Sequence, residues 1–393
     1  MSDTAIPEIP IVYLTQEGPL SRVSLSYREV QEPLARIPNG SLVRIFSKRG
    51  HELGKGFYNR HARVRVRVLT TSPAQVVDDT FFSERLQSAI EWRLLLQLPE
   101  RTNAFRLVHA EGDDLPGLVV DKFNDLIVIE FYSSGMFKKR RLIKSVFQAQ
   151  FPGCGFYTFS KRQVQKQESY DHYEDPIPSP VLIEENGLKF QVHPGTGHKT
   201  GFFLDQRENR NKIAAFTPGK TLLDLCCHAG GFSLYGRVKG QAKAVVGVDR
   251  DPIAIAQAER NAALNETTAK FVTADLNEFF VETPPAPENS FDVVVLDPPK
   301  QTKSVEGIHG AIRRYIDWNR HAVERVKPGG LLVSCSCSGL VRDSDFRNLL
   351  WEVERRSGRR LNIIGWSSAA PDHPFSFRAP ETHYLKVAWI KVD

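Results

Sequence analysis

Between Thr221 and Gly231 the chain reads TLLDLCCHAGG, an apolar run that ends on an acid and passes through small residues to a glycine pair. A strand followed by a tight turn gives this pattern. Gly230 and Gly231 lack a Cβ, so backbone can approach a ligand there before a helix that opens at Phe232. Four more apolar runs follow. AKAVVGVDRDP carries Asp249 at its carboxyl end, AKFVTADLNEF carries Asp275, FDVVVLDPPK carries Asp297, and GGLLVSCSCSG carries Cys335 and Cys337. The series predicts a doubly wound α/β sheet. Each chemistry-bearing residue falls at a strand's carboxyl end, where ligands bind in open α/β sheets.

Upstream the pattern changes. Residues 9 to 70 alternate short apolar stretches with turn signals at Pro38-Asn39-Gly40, Arg49-Gly50-His51 and Gly54-Lys55-Gly56, which predicts a small β barrel. Within it the run from Arg63 to Val68 alternates strictly. As a strand it buries three valines and turns Arg63, Arg65 and Arg67 outward, a spacing that can track phosphates or keep an edge strand from aggregating. Val77 to Leu98 has helical periodicity, with Phe82, Leu86, Ile90 and Leu94 on one stripe. Phe105 to Tyr132 reads as two strand-like runs around turns. Lys138-Lys139-Arg140-Arg141 then opens a helix as a solvated face, residues 160 to 180 read as a loop, and Leu182 to Val192 reads as a hairpin.

Composition narrows the classes. A length of 393 residues with 41% hydrophobic content predicts two or three domains with ample cores. No apolar stretch reaches the roughly 18 residues of a membrane span, and MSDTAIPEIP lacks the basic and apolar regions of a secretory signal. The five cysteines, at 154, 226, 227, 335 and 337, do not form a disulfide framework and read as reduced thiols of a cytoplasmic protein. Cys335 and Cys337 supply only two ligands, so no metal site is expected. Net charge is +6, and residues 1 to 75 hold eleven Lys and Arg against six Asp and Glu. A polyanion partner suits that excess.

The stretch Gly197 to Arg207, GHKTGFFLDQR, mixes glycines, aromatics and hydrogen-bond donors. Two readings stay open. It is a helix cap with Asp205 or Thr200 as the capping residue, or a lid with Phe202 or Phe203 against a ring and Gln206 hydrogen-bonding.

The set DLCCHAGGF, VDRDP, DPPK and SCSCSG resembles class I S-adenosylmethionine-dependent methyltransferases. With HKTGFFLDQR and EGDDLPGLVVDKF it resembles the bacterial 23S rRNA (cytosine-C5)-methyltransferases. That resemblance implies three domains: a PUA-like RNA-binding β barrel over residues 1–75, a central β-rich α+β domain over 76–195, and a Rossmann-like methyltransferase domain over 196–393. Members carry an early His-Pro-Trp motif; the corresponding SRVSLSYREV has none.

The resemblance also assigns residues. Asp224 and the backbone from Cys226 through Ala229 to Gly230 would surround the methionine part of S-adenosyl-L-methionine. Asp249 would hold its ribose and Asp275 its adenine amino group. Thr200, Phe202 and Gln206 would fold over it, and Asp297 would border it. Cys337 matches the nucleophile and Asp297 the carboxylate that meets the cytosine edge.

Chemistry gives these roles a reason. C5 of cytosine cannot take a methyl group from a sulfonium until a thiolate has added to C6. Whether Asp297 acts ionised or protonated cannot be read from sequence. Lys300, in place of the aromatic that stacks a base in many amino-group methyltransferases, favours carbon methylation. The implied partner is RNA, 23S rRNA free or partly assembled, held by phosphates on the basic N-terminal domain. No membrane partner is implied, and a homodimer is compatible with the chain.

Overall fold

The protein is described here by a computed structural model covering residues 8–172, 175–195, 200–302 and 304–393. Gly197, His198 and Lys199 of the proposed lid, and the first seven residues of the leader reading, lie outside the described residues.

The chain forms two compact units. The first takes the chain up to Val181, Val192–Phe202 and Asp372–Thr382; the second takes Leu182–Gln191, Phe203–Pro371 and His383–Asp393.

In the first unit, strands β1 (Ile11–Tyr13), β2 (Ser24–Ser26), β3 (Ser41–Phe46), β4 (Glu52–Tyr58) and β5 (Val64–Thr70) form a sheet in the order β1-β3-β4-β5-β2. A bridge from Leu14 to Val30 links the chain after β1 to the chain after β2, so the sheet closes toward the expected barrel. Val12, Val43, Ile45, Val66 and Val68 fill its centre.

Helix α1 (Asp79–Leu95) follows, its first turn capped by the Asp78 carboxylate, which accepts from the Phe81 amide. Its buried stripe includes Phe82, Leu86 and Ile90 as the periodicity requires. Leu94 does not join them. It is 44% exposed, and Arg93 occupies the inward position, bonded to both oxygens of Asp113 at 2.6 and 2.7 Å. A paired guanidinium can be buried where the pattern asks for an alkyl chain.

The stretch expected to hold two strands holds three, β6 (Ala104–His109), β7 (Leu118–Phe123) and β8 (Leu126–Phe131). The β7–β8 hairpin turns at Asn124, whose left-handed φ of 53° no apolar pattern announces. Helices α2 (Ser134–Lys138) and α3 (Arg140–Gln150) and strand β9 (Gly155–Phe159) complete a four-stranded sheet. Residues 160 to 180 are not all loop, because α4 spans Arg162–Glu168 and ends on left-handed Ser169.

The second unit begins in the hairpin of β10 (Val181–Glu185) and β11 (Leu188–Val192), followed by helix α5 (Arg207–Ile213). Its sheet uses β12 (Thr221–Leu225), β13 (Ala244–Asp249), β14 (Lys270–Thr273), β15 (Phe291–Leu296), β16 (Val326–Ser336), β17 (Leu361–Ser367) and β18 (Lys386–Val392). The order is β14-β13-β12-β15-β16-β18-β17. The first five run parallel to one another, and β18 runs antiparallel between β16 and β17. Helices α6 (Gly231–Leu234), α7 (Pro252–Leu264), α8 (Leu276–Glu282), α9 (Ile308–Val323) and α10 (Asp343–Ser357) join the strands. Strand order reverses between β12 and β15, so a cleft opens beyond their carboxyl ends, the place where open sheets bind ligands.

Candidate active site at the carboxyl ends of the strands

Asp224, one residue before the end of β12, is 1% exposed. Its Oδ2 accepts from the Ser233 amide at 2.9 Å and the Ser233 hydroxyl at 2.7 Å, while its Oδ1 is buried with no hydrogen-bond partner among the described residues. Burial pushes its pKa up to about 7 against the two Ser233 bonds, and the charges of Asp297 and Asp249 push the same way. A buried carboxyl with one oxygen unmet suits a cationic ligand group.

The turn after β12 bends without the usual glycines. Cys226 and His228 both take left-handed φ, 64° and 47°. That conformation costs a residue with a side chain up to a few kcal/mol and persists where surrounding bonds hold it. They do so here: the Cys227 amide donates to Val248 O at 2.9 Å, and the His228 amide donates to Asp249 Oδ2 at 2.9 Å. Asn261 on α7 donates to Ala229 O at 3.0 Å. Gly230, at φ 80°, has no room for more, since an added Cβ would lie 3.1 Å from Ala258 and 3.3 Å from Phe271.

Asp249 caps its own loop, its Oδ1 accepting from the Asp251 amide, and Asp275 caps α8 by accepting from the Asn277 amide. Burial drives the Cys226 thiol well above its ordinary pKa, and the charges of Asp249, Asp297, Asp224 and Asp275 add to the shift. Four acids from four strand ends therefore act on one thiol.

At the other side of the reversal, Asp297 follows β15 and Cys337 follows β16. Cys337 is half-buried, with its Sγ 3.7 Å from Pro298 O. Cys335, two residues earlier, is fully buried; burial raises its pKa well above the usual thiol range, and the Asp297 charge contributes. The alternate residues face helix α9, where the Tyr315 hydroxyl meets Ser336 Oγ and Ser338 Oγ, both at 3.1 Å. Ser338 Oγ also accepts from the Gln301 amide at 3.0 Å, tying the Asp297 loop to the Cys337 loop. Tyr315 thus holds the strand end from behind.

Gln206 was expected to hydrogen-bond, whereas Asn209, Ser367, Trp389 and Lys386 carried no sequence signal. Gln206 donates to Asp297 Oδ2 at 2.9 Å and is itself oriented by Asn209, which donates to Gln206 Oε1 at 2.7 Å. Asn209 Oδ1 accepts from Ser367 Oγ, and Ser367 accepts from Trp389 Nε1. Lys386 is 1% exposed and donates to the carbonyls of Ser338, Val341 and Tyr384 at 2.8, 2.7 and 2.9 Å, while burial lowers its pKa to about 8. A lone lysine in an apolar strand gives no hint of the two carbonyls 48 and 45 residues earlier in the chain.

Thr200 and Phe202 belong to the first unit, where Thr200 Oγ1 donates to buried Asp121. Of the three arginines expected to point outward, Arg63, which precedes β5, is the exposed one. Arg65 is half-buried, 3.9 Å from Glu32. Arg67 is turned away from solvent onto Glu168 at 2.6 Å and donates to Tyr132 O at 3.2 Å. Glu168 also accepts from Asn59 at 3.0 Å. The short helix α4 brings this counter-ion, which the strand's alternation could not reveal.

Residues 172–376 match the model of the S-adenosylmethionine-dependent methyltransferase family, and residues 25–71 match a PUA-like domain. The chain belongs to the S-adenosylmethionine-dependent methyltransferases. Within that class it belongs with relatives named ribosomal RNA large subunit methyltransferase I. It is 38% identical over 357 residues to the protein of Aeromonas salmonicida and 36% identical over 356 residues to that of Tolumonas auensis, in each case covering 88% of this chain and 89% of the relative. The fold is shared with a solved methyltransferase complexed with SAH, at a TM-score of 0.83, 22% identity, and coverage of 98% of this chain and all of that one. A second such structure, a methyltransferase from Streptococcus mutans, gives a TM-score of 0.81 at 21% identity, with the same coverage.

S-adenosylmethionine is the cofactor of this class, and the residues fit it. The unmet Oδ1 of Asp224 suits its ammonium group, the crowded turn at Ala229 and Gly230 presents backbone, and Asp249 lies at the strand end that meets a ribose in such sheets.

Proposed function

We propose that this chain methylates C5 of a cytosine in 23S rRNA, through a covalent bond between Cys337 and C6 of the base. The observation that carries the reading is the placement of Cys337 beside the Asp297–Pro298 loop, at the reversal point of the sheet whose other side holds Asp224. The relatives' name supports the rRNA substrate.

When bound, the cofactor supplies an electrophilic methyl group. The protein's own part is to make the base nucleophilic. The Cys337 thiolate adds to C6, the electron pair moves to C5, and C5 then takes the methyl group. Loss of the C5 proton to a base breaks the C6–S bond and returns the thiolate. Asp297 is held by Gln206 as a hydrogen-bond acceptor, the role that meets the N4 amino group of cytosine and finds no such donor at O4 of uracil. Asp224, the 226–230 turn, Asp249 and Asp275 hold the cofactor. The base is extruded or presented unpaired, because C6 is out of reach in a stacked helix.

The work divides along the chain in this reading: residues 1–75 hold RNA, 76–195 support them, and 196–393 carry the chemistry. A cytoplasmic location suits both the substrate and five thiols without a disulfide. Mass spectrometry of nucleosides from rRNA incubated with the protein and cofactor tests the proposal. 5-Methylcytidine is expected; methyluridine or methylguanosine alone would overturn it.

A further inference from the structure

The segment Asp372–Thr382 leaves the catalytic sequence and packs within the first unit. It is held at several points. Asp372 Oδ2 accepts from the Arg106 amide at 2.9 Å, and Arg93 donates to Asp372 O at 2.7 Å. Gly112 lies so close to Pro374 that an added Cβ would meet its carbonyl oxygen at 2.1 Å. The Ala379 amide donates to Ser376 O at 2.9 Å, the Ser376 amide donates to Thr382 Oγ1 at 2.9 Å, and the Val23 amide donates to Arg378 O at 3.0 Å.

This bracing presents two aromatic rings to water. Phe377 is 89% exposed and Phe375 49%, their rings edge to face with centroids 5.4 Å apart. A braced turn that ends in exposed phenylalanines gains nothing for the core; such rings serve a partner. The surroundings are basic. Arg378 follows Phe377 with its Nε and Nη2 buried and its carbonyl bonded to Val23, exposed Arg22 precedes Val23, and Arg85 is near enough for its charge to oppose that of Arg378. Asp114, which attracts Arg85, and Glu381 are the exposed acids beside them, while Asp113 is paired with Arg93, Asp372 with His373, and burial raises the pKa of Glu111.

Aromatic faces set among arginines fit single-stranded nucleic acid, whose bases stack and whose phosphates pair. We propose that Phe375 and Phe377 form a stacking platform for unpaired bases of the RNA substrate, with Arg22 and Arg85 beside the flanking phosphates. This rests on the reading of the protein as an RNA methyltransferase. The platform needs no particular sequence, since every base offers a ring face.

The test uses the full chain and a fluorescein-labelled, unstructured 12-nucleotide RNA, with cofactor affinity measured alongside as a check on folding. Phe377→Ala should weaken binding about tenfold and the Phe375→Ala/Phe377→Ala pair more, without changing the salt dependence. Phe377→Trp should restore affinity, and its indole emission should be quenched on RNA binding. Arg22→Ala should lower the salt slope by about one ion. If the parent binds this RNA and methylates rRNA while the double variant binds equally well, the platform is overturned and the rings are left to a protein partner. If the parent neither binds RNA nor methylates it, the RNA reading itself has failed.

Discussion

Gln206 donates to Asp297 across 2.9 Å, and the direction of that bond is fixed from the core. Trp389 Nε1 donates to Ser367, Ser367 to Asn209, and Asn209 to the Gln206 oxygen, so the amide nitrogen of Gln206 is left to face the carboxylate. Gln206→Leu should therefore lower the methyl-transfer rate roughly tenfold to a hundredfold, tenfold corresponding to about 1.4 kcal/mol. Cofactor affinity should fall less than threefold. Equal losses in both would make Gln206 a cofactor ligand instead.

Cofactor binding should depend on pH through Asp224. Its folded pKa is raised to about 7, so below that value the carboxyl is protonated and cannot neutralise an ammonium group. Binding the cation favours the ionised form and releases the proton. Affinity should rise about tenfold between pH 5.5 and 7, below the range in which an α-amino group titrates, and then level off. Calorimetry in buffers of different ionisation enthalpy would show the released proton. Asp224→Asn should bind weakly and without the slope.

Arg63 and Arg67 should separate by experiment. Glu168→Ala removes the buried partner of Arg67 and should destabilise the first unit by about 3 kcal/mol. Arg63→Ala should leave the melting temperature unchanged while weakening RNA binding and reducing its salt slope. Thermal melts and a salt titration read the two effects separately.

Lys386 should leave a mark at alkaline pH. Its folded pKa of about 8 lies below the ordinary 10.5, so between these values the unfolded chain holds a proton that the folded chain has lost. Its contribution to stability is full above pH 10.5 and declines as pH falls through 8. The stability of the parent relative to Lys386→Met should therefore grow from pH 8 to 10.5. Chemical denaturation across that range measures it.

Much of the second unit was legible because parallel strands buried on both faces announce themselves as apolar runs, and their ends carry the acids and the cysteine. The order of those strands, and the pairing of β18 between β16 and β17, depend on long-range contacts that no local pattern records. Leu94 and Arg67 misled for one reason: each sits in a regular alternation, and the carboxylates that change the outcome, Asp113 and Glu168, come from segments far along the chain. The third strand in Phe105 to Tyr132 was hidden by a turn that uses Asn124 in place of glycine.

The covalent step is tested most directly by incubating the protein and a Cys337→Ala variant with cofactor and rRNA containing 5-fluorocytosine. Fluorine at C5 cannot leave as a proton, so the parent should be trapped on RNA as a complex that survives denaturing electrophoresis, and the variant should not. A trapped complex that persists in Cys337→Ala, or a parent that methylates ordinary rRNA at cytosine C5 yet is never trapped, would contradict the role of this thiol.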